Sequence, residues 1–170
     1  MIVVLSPEQA EAEIAQLTGL LMDAVDSGAS VGFLPPLSRA EADAYWQSVI
    51  AAMRNGSRVV LAAMDGETLQ GSVQLELEMR ANGNHRAEAM KLFVHRRDRR
   101  RGIARSLMAE AESNALSRGR ILLLMDTRKG GEAHRMCESL GYTPFGEVPG
   151  YARSADGQLH TTVFFFKQLT

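Results

Sequence analysis

Two periodicities alternate along the chain and predict its helices and strands. Apolar residues spaced three and four apart indicate helices, and short apolar runs bounded by Gly, Asp or Asn indicate strands. The predicted helices run from Ser6 to about Asp26, from Ser38 to about Arg54, and over Ile103–Ser117 and Glu132–Leu140. The predicted strands are Ile2–Leu5, Arg58–Met64, Leu69–Leu77, Arg86–Val94, Ile121–Met125, Tyr142–Gly146 and Thr162–Lys167. The predicted order along the chain is therefore β-α-α-β-β-β-α-β-α-β-β.

Capping and turn residues support these boundaries. Ser6 is followed by Pro7, which suits the first position of a helix, and Ser38 forms a capping box with Glu41. Asp65-Gly66 is a hairpin signal between two strands. No composition shift marks a boundary, so the 170 residues are predicted to form a single domain, 1–170.

Composition narrows the class of protein. The chain is 45% hydrophobic and 23% charged, which is ordinary for a soluble globular protein. No apolar stretch reaches transmembrane length, and the N-terminus lacks the pattern of a signal peptide. The single cysteine excludes an intrachain disulfide framework. These features predict a cytoplasmic protein with no membrane partner.

The stretch Leu92–Met108, LFVHRRDRRRGIARSLM, joins a predicted strand to a predicted helix through a run of arginines. The first N–H groups of a helix have no intrahelical acceptors and carry the positive end of the helix dipole. Gly102 and Ala104 are small enough for a phosphate to approach these groups, and the arginines add bidentate donors. We therefore expect an anion site that suits a diphosphate.

A solvated surface, a nucleic-acid patch and a targeting signal are alternative interpretations of the arginine run. From Arg96 to Arg101, five arginines and one aspartate give a local charge of +4, whereas the whole chain carries −1. Proteins that wrap nucleic acid usually spread positive charge over a face. The concentration of charge at one turn favours the phosphate site and predicts no nucleic-acid partner.

The pattern Arg-x-x-Gly-x-Ala at Arg99–Ala104, between a strand and a helix, resembles the pyrophosphate loop of the GNAT N-acetyltransferases. The order of elements is also similar to that family. It implies an α/β (α+β) GNAT fold, a mixed and mostly antiparallel seven-stranded sheet with helices on both faces. The tabtoxin-resistance acetyltransferases share further stretches with this chain. These stretches are Gly28–Phe33, Arg86-Ala87-Glu88, Lys91-Leu92, Asp126-Thr127, Pro149-Gly150-Tyr151 and Asp156-Gly157.

The resemblance implies acetyl-CoA as co-substrate and no metal. In the family, a strand offers its backbone to the pantetheine arm, and the following turn and helix bind the diphosphate. The implied cofactor-binding residues are Leu92, Phe93, Val94, Arg99, Arg100, Arg101, Gly102, Ile103, Ala104, Arg105, Thr127 and Cys137.

Two carboxylates are candidate catalytic residues. An alkyl ammonium has a pKa near ~10, so acetyl transfer to an amine benefits from a base at pH 7. Strict alternation would place Glu88 on one strand face with Met90, Leu92 and Val94, where a carboxylate needs a partner, water or substrate. The GNAT resemblance implies that this glutamate draws the amine proton, and Asp126 ends the next strand toward the same cleft. The alternatives are an ion pair between Glu88 and an arginine, and a turn cap by Asp126.

Cys137 departs from the family pattern. GNATs usually place a tyrosine at this position, before the pair that here is Gly141-Tyr142, as a donor to the coenzyme sulfur. Met136 and Leu140 share a helical face with Cys137, which favours a small buried hydrophobe. The thiolate would then leave unassisted, or be protonated by water or Tyr151. His134 and Cys137 have metal-ligand spacing, but no second pair of ligands matches it.

The acceptor pocket is predicted between the segments Ser27–Leu37 and Val148–His160, with Phe33, Tyr151 and His160 as substrate-binding candidates. The predicted function is acetyl transfer from acetyl-CoA to the amine of a small molecule, either an amino-acid-like compound or a toxin or antibiotic. Transfer would occur by direct attack within a ternary complex. A protein N-terminal or lysine acetyltransferase and a non-catalytic acyl-CoA-binding module are the alternatives. A homodimer is compatible with the sequence.

Overall fold

The helices begin where the capping residues predict. Ser6 and Ser38 each accept a hydrogen bond from the third helical N–H, and each forms a complete capping box. In the computed structural model, which describes residues 1–170, the helices are α1 (Pro7–Ala12), α2 (Ile14–Asp26), α3 (Arg39–Arg54), α4 (Ile103–Ser117) and α5 (Glu132–Ser139). A short 3-10 turn, Arg96–Asp98, precedes α4.

The single helix predicted from Ser6 to Asp26 is wrong, because the structure has two helices there. Glu13 lies between α1 and α2 with a backbone conformation outside the helical range, φ −92° and ψ 8°. The two segments pack differently: α1 lies mainly against α3, whereas α2 also covers strands of the sheet. The break at Glu13 lets each helix bury its own apolar side.

The seven strands form one sheet in the order β1-β2-β3-β4-β5-β7-β6. They are β1 (Ile2–Val4), β2 (Arg58–Asp65), β3 (Thr68–Leu77), β4 (Arg86–Val94), β5 (Leu122–Arg128), β6 (Thr143–Arg153) and β7 (Leu159–Gln168). Every neighbouring pair is antiparallel except β4 and β5. The predicted fold, a mixed and mostly antiparallel sheet with helices on both faces, is confirmed.

Helices cover the two faces of the sheet unequally. On one face, α4 and α5 pack over a core that includes Leu107, Leu123 and Phe165. On the other face, α1, α2 and α3 pack over β2, β3 and β4, with Trp46 fully buried among them. No helix covers β5, β6 and β7 on this second face, which we call the open face.

A β-bulge in β4 overturns the predicted strand alternation. Ser72 pairs with Phe93 and Gln74 pairs with Met90, so two residues of β4 lie opposite the single residue Val73. Leu92 and Val94 consequently pack on the α4 side, whereas Phe93 is buried among α2 and α3. Glu88 therefore does not share a face with Leu92 and Val94, because the extra residue reverses the alternation between them.

The hairpin of β6 and β7 is longer than the sequence predicts. The pattern around Pro149-Gly150 predicts a loop, but β6 continues through it to Arg153 with two irregularities of register. The turn is confined to the residues around Asp156-Gly157. The segment predicted as a loop, Val148–His160, is thus mostly a two-stranded arm that extends beyond the end of β5. None of the helices is long and apolar enough to cross a membrane.

Candidate active site

The cleft at the centre of the sheet arises because β4 and β5 separate. The two strands pair only over Arg86–Glu88 and Leu122–Leu124. Beyond Glu88, the edge of β4 that faces β5 has no partner strand, from Ala89 to Val94. Open backbone groups at such an edge can pair with an extended ligand as a further strand would. Leu92, Phe93 and Val94 lie on this edge, and Thr127 lies across the gap in β5.

The turn between β4 and α4 presents a continuous series of free amides. No backbone N–H from Arg99 to Arg105 donates a hydrogen bond within the chain. Arg100 and Gly102 have positive φ values of 62° and 80°, and no side chain caps α4. A Cβ added at Gly102 would meet no atom within 4 Å, so open space lies beside these amides. Unpaired amides at a helix N-terminus form a site for an anion.

The arginine side chains near this turn are mostly engaged elsewhere. Asp98, which is only 6% exposed, accepts from Arg97 at 3.1 Å and from Arg101 at 2.8 Å. Arg99 donates to the Ser27 hydroxyl at 2.5 Å, and Arg105 donates to the Ser139 hydroxyl at 2.7 Å. Arg100 alone among the predicted arginines has no partner in the chain. The anion site is thus built mainly from backbone amides.

Glu88 carries a carboxylate without a partner. It is half-buried in β4, makes no ion pair and accepts no hydrogen bond. The nearby guanidinium of Arg58 forms its ion pair with Glu76, the cross-strand neighbour of Glu88. Arg58 donates to Glu76 at 2.9 Å and to Gln74 at 2.8 Å. The alternative prediction, an ion pair between Glu88 and an arginine, is therefore wrong. Glu88 and Glu76 line the same pocket at the end of β3 and β4.

The side chain of Asp126, in β5, lies on the same face of the sheet as the side chain of Glu88. Leu123 and Met125 pack in the α4 core, so Leu124 and Asp126 point to the open face. Asp126 makes no hydrogen bond and no ion pair, so it does not cap the turn after β5. Its cross-strand neighbour Phe164 contacts Tyr151 edge to face, with ring centroids 5.3 Å apart. An unpaired carboxylate thus lies beside an aromatic wall.

The environment raises the pKa of both carboxyl groups. For Glu88, burial is the main cause, and the negative charges of Asp126 and Glu76 add to it. For Asp126, burial likewise raises the pKa, although the Lys91 ammonium opposes the shift. A carboxylate with a raised pKa is a stronger proton acceptor than an ordinary one. Both groups therefore have the electrostatics of a general base.

The raised pKa of Glu88 also predicts a cost in stability. Ionisation is less favourable in the folded state, so folding stability is lost as the pH rises through the raised pKa. We expect Glu88→Gln to raise the melting temperature at pH 7 by roughly 2–4 °C. Below about pH 4 the glutamate is protonated in both states, so the gain should disappear. Thermal unfolding at the two pH values tests this, with Glu67→Gln in the exposed turn as control. A less stable Glu88→Gln protein at pH 7 would show that the carboxylate supports the fold.

The side chain of Cys137 is buried in the core and not exposed to the cleft. Its side chain has no exposed surface, and its sulfur lies 3.5 Å from the Met125 sulfur within the α4 core. Burial raises the pKa of the thiol to about 11, so it is protonated at pH 7. This burial supports the packing interpretation of Cys137 over a contact with the cofactor.

Replacing this thiol should change stability and leave catalysis intact. We expect Cys137→Ala to lose roughly 1 kcal/mol of unfolding free energy, because a buried sulfur is removed. Turnover and acetyl-CoA affinity should stay at wild-type values in steady-state assays and calorimetry. A large loss of turnover at unchanged stability and affinity would give the thiol a chemical role.

The predicted acceptor residues lie on two sides of the cleft. Phe33 packs edge to face on Tyr45, with ring centroids 5.2 Å apart, and belongs to the irregular segment before α3. Tyr151 is 56% exposed on the open face. His160 lies in the hairpin arm opposite Ala152, and its Nε2 is buried without a partner. Residues of both predicted segments, among them Phe33 and Ser154, line one small surface pocket.

Two polar residues of the cleft escaped the sequence-based prediction of roles. Lys91 lies on the same face as Glu88, because the bulge turns it toward the segment before α3. Tyr45, which packs against Phe33, donates to Gln74 at 3.1 Å. A charged residue inside an apolar strand is the signal that identifies Glu88, and the same signal applies to Lys91. No group of three or more His, Cys, Asp or Glu side chains is arranged to hold a metal ion.

The sequence matches the family model of the acetyltransferase (GNAT) domain over residues 55–144. This match covers more than half of the chain, and the chain belongs to the GNAT family. It is therefore an N-acetyltransferase, as its sequence predicts. The matched region begins before β2 and ends after α5, so it includes the separated strands, the amide turn and both carboxylates.

Solved structures share the fold over nearly the whole chain. A ribosomal-protein-alanine N-acetyltransferase from Brucella melitensis is 21% identical, with a TM-score of 0.82 and coverage of 99% of both chains. A protein from Salmonella typhimurium classed as an acetyltransferase, solved with acetyl-CoA, is 19% identical, with a TM-score of 0.80 and coverage of 100% of this chain and 94% of that one. An aminoglycoside 6'-acetyltransferase type Ii is also 19% identical, with a TM-score of 0.75 and coverage of 100% and 97%. At these identities the likeness concerns the fold, and the two names that state an acceptor, a ribosomal protein and an aminoglycoside, differ from each other.

Proposed function

We propose that this enzyme transfers the acetyl group of acetyl-CoA directly to the amine of a small molecule. The observation that carries this proposal is the pair of unpaired carboxylates, Glu88 and Asp126, which face the cleft between β4 and β5. Glu88 is half-buried, whereas Asp126 is more exposed. Carboxylates that have raised pKa values and no partner in the chain are common at sites where a ligand supplies the partner. A cationic amine is such a ligand.

Acetyl-CoA fits the residues at the other side of the cleft. The free amides of Arg99–Arg105 suit its diphosphate, and the open edge of β4 suits an extended pantetheine arm. Arg100 is the side chain available for a further phosphate oxygen, whereas Arg101 is held by Asp98. When bound, acetyl-CoA supplies the acetyl group on an activated thioester.

The chain's own residues bind the acceptor amine and accept a proton from it. Glu88 and Asp126 attract the ammonium form of the amine into the cleft. Glu88 then accepts the proton at its carboxylate, directly or through a water, and leaves the nitrogen with its lone pair. As the nitrogen forms its bond to the acetyl carbon, the bond from that carbon to the coenzyme sulfur breaks, and the second proton that the nitrogen loses ends on the leaving thiolate. Amides at the edge of β4 are the donors available to the acetyl oxygen as it gains negative charge. The burial of Cys137 supports direct attack, since it removes the one thiol that could carry an acetyl group.

The shape of the acceptor side supports a small acceptor. Phe33 and the hairpin arm border the cleft, and the aromatic rings of Tyr151 and Phe164 form one wall. Of the six stretches that resemble the tabtoxin-resistance acetyltransferases, three fall in these two segments: Gly28–Phe33, Pro149-Gly150-Tyr151 and Asp156-Gly157. They support an amino-acid-like acceptor over a protein lysine.

A panel of amines tests this proposal. The purified protein is mixed with acetyl-CoA and, separately, with amino acids, polyamines, an aminoglycoside and a peptide with an N-terminal alanine. Thiol release and the mass of the acetylated product are both measured. We expect at least one small amine to be acetylated. Acetylation of the peptide alone would assign a protein acceptor, and binding of acetyl-CoA without any product would leave a non-catalytic module.

A further inference from the structure

The bulge in β4 places a lysine among the acceptor-facing groups. Lys91 has a positive φ of 53°, which is rare for a residue with a side chain. Strict alternation would point Lys91 away from Glu88, but the bulge turns it to the same side. Its Nζ donates to the Val31 carbonyl at 2.5 Å and lies 5.8 Å from the centre of the Phe33 ring.

The ammonium of Lys91 lacks a counter-ion. It is half-buried, and no carboxylate of the chain forms an ion pair with it. An ammonium has three donors, and only one of them is used. Burial lowers the pKa of Lys91, whereas the negative charge of Asp126 raises it. Lys91 and Asp126 therefore interact electrostatically across the cleft without forming an ion pair.

The segment before α3 is built around this ammonium. Gly32 has a positive φ of 85°, and a Cβ added there would lie 3.0 Å from the Lys91 Nζ. Any larger residue would press on the ammonium and strain the backbone. The neighbouring residues Val31 and Phe33 provide the carbonyl and the ring that hold the lysine.

Arg58, the other cation of this region, already has hydrogen-bond partners within the chain. The guanidinium of Arg58 donates to Gln74 and Glu76 and lies 3.1 Å from the Met90 sulfur. The cleft thus contains three charged side chains without ion pairs, the anions Glu88 and Asp126 and the cation Lys91. Unpaired charges of both signs match a ligand that carries both signs.

We infer that Lys91 is a specificity-determining residue that binds an anionic group of the acceptor. The acceptor is then a zwitterion of the amino-acid class, whose carboxylate meets the Lys91 ammonium while its amine meets Glu88 and Asp126. This inference rests on the proposed function, because it names the class of amine that the site accepts. It also gives the bulge a role, since the bulge brings Lys91 to the acceptor side.

Matched pairs of acceptors test this inference. Each pair differs only in a carboxylate: L-methionine and 3-(methylthio)propylamine, L-phenylalanine and 2-phenylethylamine, and L-lysine and cadaverine. We expect the amino acid of a pair to have the higher kcat/KM. In Lys91→Gln, which keeps a donor for the Val31 carbonyl without the charge, KM for the amino acid should rise roughly 10- to 100-fold. Its kcat, and the KM of the decarboxylated amine, should change little.

Two further variants exclude a merely structural effect. Lys91→Arg keeps the charge and should recover part of the affinity for the amino acid. Arg54→Gln removes a positive charge from the exposed end of α3 and should change neither KM. A kcat/KM for the decarboxylated amine that equals or exceeds that of its amino acid, or an equal rise of both KM values in Lys91→Gln, would overturn the inference and leave the proposed function intact. If no small amine in the pairs or in the panel is acetylated, the proposed function itself fails.

Discussion

Glu88→Gln should lower kcat at pH 7 by about 10²–10⁴-fold, because the variant keeps the size of the side chain and loses its proton acceptor. The loss should shrink at high pH, where more of the amine is already neutral. In the wild-type enzyme, turnover should fall as the pH drops through the raised pKa of Glu88, since the base becomes protonated. That acid limb should disappear in the variant. The measurement is a pH profile of kcat with a saturating acceptor from the panel.

Glu76→Gln is the matched control for this result. Glu76 lies directly across from Glu88, but Arg58 already pairs with it, so it should contribute little to proton transfer. We expect this variant to keep most of its turnover at pH 7. Wild-type turnover in Glu88→Gln would instead move the base to Asp126 or to bulk water.

Gly102→Asp should strongly weaken acetyl-CoA binding while the protein stays folded. Asp tolerates the positive φ of this position better than most residues, and a side-chain carboxylate at the start of α4 can accept from the helix amides. The variant would therefore fill the anion site with its own negative charge. We expect the Kd for acetyl-CoA, measured by calorimetry, to rise by on the order of 100-fold or more.

Gly102→Asn separates charge from size in this experiment. Asn also tolerates a positive φ and has nearly the same shape, so it should weaken binding much less than Asp. Circular dichroism and the melting temperature of both variants report on the fold. Wild-type affinity in Gly102→Asp would place the diphosphate away from the start of α4.

The parts of the site that depend on local sequence were predictable. The amide turn follows from Gly102 and from the strand and helix on either side, all within about a dozen residues. Glu88 and Asp126 stand out as carboxylates in or at the end of apolar strands. Two such strands that run parallel bring their ends to the same cleft, and the structure shows this pairing.

The parts that depend on distant partners were not predictable. The bulge at Lys91 arises from the register with β3, and a strand's own alternation does not reveal it. The Val31 carbonyl that holds Lys91 is 60 residues away. The arginine run suggested several phosphate ligands, yet Arg96 is bound by Asp23 of α2 and Arg101 by the buried Asp98. Charge density along a sequence therefore overestimates the charge available to a ligand.

Direct transfer within a ternary complex is the central claim, and mass spectrometry of one reaction mixture tests it. The protein is incubated with acetyl-CoA alone, and then with acetyl-CoA and the best acceptor of the panel. We expect the protein to stay unmodified in both cases and the small amine to gain one acetyl group for each free CoA. An acetyl group on the protein that passes to the added amine would contradict direct transfer.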